Sequence, residues 1–108
     1  MRKQYIYQTI RYLPNIKSDE FINIGVILIS NKKIFKLISM DDIENNNCLF
    51  FNKRKLTGTL EYLNENILKS PHYFNTFRFS DIKRITSDKD ADEVLNELFK
   101  DYVFWKFV

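Results

Sequence analysis

The sequence predicts an α+β domain, an antiparallel sheet of three to four strands with two helices packed on one face. Three observations lead there. The first 38 residues hold three segments rich in β-branched and aromatic side chains, separated by turn signals. From Leu49 the apolar spacing becomes that of a helix. After one more short β-like segment, a second helical stripe follows.

Tyr5 to Leu13 reads as the first strand, with Ile6, Gln8, Ile10 and Tyr12 on one face and Tyr5, Tyr7, Thr9 and Arg11 on the other. Pro14, with no N–H to donate, ends it. Phe21 to Ser30 is nearly continuous in Ile, Val and Leu, the pattern of a central strand covered on at least one face. Asn31-Lys32 supplies a turn, and Lys33 to Ile38 returns as the second arm of a hairpin, so the three segments form an antiparallel meander.

Leu49, Leu56, Leu60, Leu63 and Ile67 fall along one side of the first helix. Gly58 costs that helix about 1 kcal/mol relative to alanine, yet would let it approach the sheet closely. Asn45-Asn46-Asn47 forms the turn or cap before it, and Pro71 stops it. A short strand is expected over Asp81 to Thr86. Ser87-Asp88 then caps a helix whose stripe is Ala91, Val94, Leu95, Leu98, Phe99 and Tyr102. Asp88, Asp90, Asp92 and Glu93 crowd its first turn, where the helix dipole favours negative charge. Beyond it, Phe104, Trp105, Phe107 and Val108 must pack, join a sheet edge or serve an interface.

A chain of 108 residues with 44% apolar content matches a single domain, residues 1–108, with one core. Two glycines and two prolines leave no linker. The opening Met1 to Tyr7 lacks the apolar core of a signal peptide and no run is long enough to span a membrane, so a cytoplasmic chain without membrane contact is expected. The lone Cys48 excludes an intrachain disulfide. Charge is uneven: residues 1–84 carry 14 basic and 8 acidic side chains, +6, while residues 85–108 carry 3 and 6, −3.

Arg11, Glu20, Asn23 and Gly25 are polar or side-chain-free residues set in apolar strands. Across the Pro14 to Asp19 connection, Arg11 and Glu20 lie near the same sheet end, where a charge pair would fix strand register. The Asn23 amide would tie a neighbouring backbone, and Gly25 would admit a helix or a ligand. The cluster is therefore either a register device or a ligand or partner pocket.

The block Glu20-Phe21-Ile22-Asn23-Ile24-Gly25-Val26 after Arg11 and Pro14, with the later Leu95 to Phe99 helix, resembles a bacterial family catalogued as domain of unknown function 3037. The resemblance implies no activity. It does imply a genomic neighbour, because such proteins are similar to small ones encoded beside HipA-like protein kinases.

Chemistry-bearing motifs are sparse. His72, in a turn between Pro71 and Tyr73, is the single imidazole and reads as a surface residue and not a catalytic one, and one histidine is too few for a histidine-rich metal site. Asp41-Asp42-x-Glu44 lacks the glycine and spacing of a calcium loop, and with only Gly25 and Gly58 there is no phosphate loop. No cofactor, metal or catalytic residue is assigned. Lys53-Arg54-Lys55, Lys32-Lys33 and Arg78 with Lys83-Arg84 are candidate nucleic-acid contacts, if aromatic rings stand exposed near them. The sequence thus reads as a non-enzymatic protein-binding module that modulates a neighbouring kinase or a host or defence enzyme. Trp105 and Phe107 are its candidate partner or homodimer interface. RNA or DNA binding is the alternative.

Overall fold

The computed structural model describes residues 2–12, 22–39, 53–69 and 77–103. Pro14, Glu20, Phe21, Asp41, Asp42, Glu44, the Asn45 run, Cys48, Leu49, Pro71, His72, Phe104, Trp105, Phe107 and Val108, for which the sequence sets expectations, lie outside them.

The chain is α+β. Strands β1 (Lys3–Tyr12), β2 (Ile22–Ile29) and β3 (Lys33–Leu37) form the meander, followed by helix α1 (Lys53–Asn66), strands β4 (Phe77–Phe79) and β5 (Lys83–Ser87), and helix α2 (Ala91–Tyr102). All five strands join one antiparallel sheet. Its order is β3-β2-β1-β4, with β5 also on β1.

β1 is central because its long β-branched and aromatic run is paired on both sides. Toward β2 its register runs from Ile6 opposite Ile29 to Tyr12 opposite Ile22, with an irregularity after Ile10 where Arg11 falls opposite Asn23. Its other side takes β5 along Lys3 to Tyr7 and β4 along Ile10 to Tyr12. Between those two pairings, Ser80 to Ile82 faces only Gln8 and Thr9, one residue too many, as in a β-bulge. Ser80 holds the kink: Thr9 N–H donates to its Oγ and its own N–H donates to the Thr9 carbonyl, both at 2.8 Å. Strand β4 was not foreseen, since three residues against a bulge carry no readable alternation.

Cross-strand partners share a face, which fixes what each helix covers. Tyr7 sits opposite Leu28 and Lys83, and its hydroxyl shares a 3.0 Å hydrogen bond with that of Tyr102 on α2. Lys36, on the same face, lies 4.8 Å from the Phe99 ring centre and donates to Asn96. Helix α2 therefore covers the face of Tyr5, Tyr7, Thr9, Val26 and Leu28, all buried. Its stripe of Val94, Leu95, Leu98 and Phe99 is buried as its spacing predicts. The cap is Asp90, not Ser87-Asp88: its carboxylate accepts from Glu93 N–H at 3.1 Å. Ser87 instead accepts from Lys89 N–H.

The other face carries Ile10 and Tyr12, opposite Phe79 and Phe77. Tyr62 of α1 meets Phe77 at 6.1 Å between ring centres, and Leu56, Leu60, Leu63 and Ile67 are buried. The helices thus contact opposite faces, which corrects the single helical layer expected. An apolar stripe shows that a helix buries one side, but not which face of a sheet receives it.

Candidate functional site

The polar cluster is only partly assembled among the described residues. Arg11 stands on β1 between Asn23 on β2 and the exposed Arg78 on β4. Arg11 Nε, Tyr12 Oη and Asn23 Oδ1 are buried atoms. Burial pushes the Tyr12 hydroxyl pKa above its usual value, because the phenolate would lose its hydration. Asn23 Oδ1 meets no donor among the described residues, so the backbone tie expected of this amide is not seen there. Glu20 lies outside the described residues.

Gly25 does mark a close approach, and its nearest neighbours belong to strands β3 and β1. A Cβ there would stand 2.5 Å from Leu37 Cδ2, 2.7 Å from the Lys36 carbonyl oxygen and 3.4 Å from Ile10 Cδ1. The missing side chain lets Leu37 and Ile10 close over β2. Gly58, by contrast, faces open space with no atom within 4 Å, so it serves no helix–sheet contact.

Of the nominated basic residues, Lys32 and Arg84 line adjoining clefts, but the others do not converge with them. Arg54 and Lys55 are exposed in the first turn of α1, which also begins at Lys53 and has no acidic residue there. Arg78 shares Arg11's face and Lys83 shares Tyr7's, whereas Arg84, opposite Ile6, points the other way. Lys83 packs 4.9 Å over the Tyr102 ring and is half-buried. Among the described residues no aromatic residue is exposed, so the rings needed for base stacking are absent there.

A feature not anticipated from sequence lies at the β1 start. β2 ends at Ile29, opposite Ile6, while Lys3, Gln4 and Tyr5 continue with β5 alone. This offset leaves an open cleft of about 410 Å³ bounded by Gln4, Ile6, Ile29, Ser30, Asn31 and Arg84. A second, of about 590 Å³, adjoins it and adds Lys3, Lys32 and Ala91. Only the Asn31-Lys32 turn hinted at it in the sequence, since register offset is a tertiary property. Among the described residues no group of three His, Cys, Asp or Glu could hold a metal ion, and no helix is long and apolar enough to cross a membrane.

Residues 7–67 match a family described as a protein of unknown function, DUF3037. The chain belongs to this family. The DUF3037 match takes in the meander from Tyr7 onward, Arg11, Asn23, Gly25 and α1, and stops before β4, β5 and α2, so the Leu95 to Phe99 landmark falls beyond it. No curated protein and no solved structure matches the chain.

Proposed function

We propose that this chain is a non-enzymatic protein-binding module, a cytoplasmic bacterial or phage protein that modulates a partner protein. The partner is a neighbouring HipA-like kinase, in keeping with the family resemblance, or a host or defence enzyme. One observation carries the reading: the sheet is unevenly covered. Helix α2 closes one face, whereas on the other face Arg84 and Thr86 are exposed and Ile6 and Ile29 are only half-buried. Beside them, in the bulge before β5, Ile82 is 62% exposed. A large apolar side chain beside a half-covered sheet suits a protein surface with an apolar centre and polar rim.

The nucleic-acid alternative has less support. Its proposed contacts divide between two faces, Lys83 is spent on Tyr102, and no described ring is exposed.

Affinity capture with the full chain from its native host, with nuclease treatment and mass spectrometry, tests the reading. A defined protein retained after nuclease and at raised salt is expected. Capture abolished by nuclease, with affinity falling steeply between low and physiological salt, would move the assignment to nucleic acid.

A further inference from the structure

We infer that the notch between the start of β1 and the β2–β3 turn is where an acidic, extended segment of the partner protein docks. This rests on the protein-binding reading above and adds the place and the chemistry. The notch exists because Lys3, Gln4 and Tyr5 pair with Ser87, Thr86 and Ile85 on one side and lose β2 on the other. Its floor is apolar, from Ile6 and Ile29.

Its rim is built of donors. Gln4, Ser30 and Asn31 offer amides and a hydroxyl, Arg84 offers positive charge on the face of the floor, and Lys3 and Lys32 offer it in the adjoining cleft, while no described carboxylate lines either cleft. Several other cations around the sheet are engaged within the fold. Lys36 is engaged with Asn96 and Phe99, Lys83 with Tyr102, and Lys89 with Glu97. Among the described residues, no hydrogen bond or ion pair engages the side chains of Lys3, Lys32 or Arg84. Unspent positive charge around an apolar floor is complementary to carboxylates flanking an apolar side chain.

The span also fits. Arg84 on β5 and Ile29 on β2 stand two strand spacings apart across β1, about 10 Å, which roughly three residues of extended chain cover. Base stacking is not served here, since Tyr5, the ring beside the notch, is buried and its hydroxyl donates to the Lys89 carbonyl at 2.8 Å.

The probe is a fluorescein-labelled hexapeptide of alternating glutamate and leucine, titrated against the full chain at low salt and read by anisotropy. Arg84→Glu and Lys3→Glu, both at exposed positions, should weaken binding at least about 10-fold, because like charges replace complementary ones. Arg78→Glu, on the opposite face, should leave it unchanged. Amide shifts should concentrate at Gln4 to Ile6 and Ile29 to Lys32. Absent binding, equal loss in Arg78→Glu and Arg84→Glu, or equal displacement by an uncharged peptide would overturn the inference. So would sedimentation showing a dimer that Arg84→Glu dissolves, which would assign the notch to a second copy. If Arg84→Glu still captures the wild-type chain's protein partner, the notch is wrong and the protein-binding reading stands. If only nucleic acid is captured, that reading itself fails.

Discussion

Replacing Gly25 by alanine should destabilise the protein, although alanine ordinarily improves on glycine in a strand by about 0.5–1 kcal/mol. The new methyl would stand 2.5 Å from Leu37 Cδ2 and 2.7 Å from the Lys36 carbonyl oxygen. Leu37 can rotate away at modest cost. The carbonyl cannot, because it belongs to the β3 backbone, and β2 and β3 must part to make room. Overpacking of this kind costs roughly 1–3 kcal/mol, which outweighs the propensity gain. In a domain of this size each kcal/mol lowers the melting temperature by about 4–8 °C. Thermal and urea melts should therefore show Gly25→Ala below wild type and Gly25→Val lower still. Adding Leu37→Ala to Gly25→Ala should leave a residual clash with the carbonyl. A Gly25→Ala protein that melts at or above the wild-type temperature would refute the close approach.

Gly58→Ala should act in the opposite sense, since the site is open, and raise stability by up to about 1 kcal/mol in the same melts. The Tyr7 hydroxyl is held at a pKa of about 12, first by burial and then by its hydrogen bond to Tyr102. Its folded value exceeds the unfolded 10.0, so its contribution is fully present below pH 10 and is lost as the pH rises toward 12. Tyr7→Phe should flatten that alkaline decline in pH-resolved melts. Arg11→Met should cost roughly 1–4 kcal/mol if Glu20 is its buried partner, and Glu20→Leu in the same chain should recover much of the loss. Additive effects in that double-mutant cycle would remove the pair.

Much of the fold was legible because local periodicity set it. The two faces of β1, read as Ile6, Gln8, Ile10 and Tyr12 against Tyr5, Tyr7, Thr9 and Arg11, agree with the observed pairings to β2, β4 and β5. The stripe of α2 was legible for the same reason. What escaped were properties that arise only when elements meet. Periodicity cannot say that α1 meets Phe77 on the face away from α2, nor that Leu37 and not a helix closes over Gly25. Strand β4 depends on pairing with Ile10 to Tyr12, and the notch depends on β2 ending at Ile29. The separation of Lys83 from Arg84 was readable in principle, because neighbours on a strand point to opposite faces.

Hydrogen–deuterium exchange on the full chain, alone and bound to the protein it captures, tests the central claim most directly. Binding through the half-covered sheet face predicts slowed exchange at Gln4 to Ile6, Ile29 to Lys32 and Ile82 to Thr86, with α2 unchanged. Protection confined to α2 or to the first turn of α1, or a complex that holds nucleic acid and no protein, would contradict it.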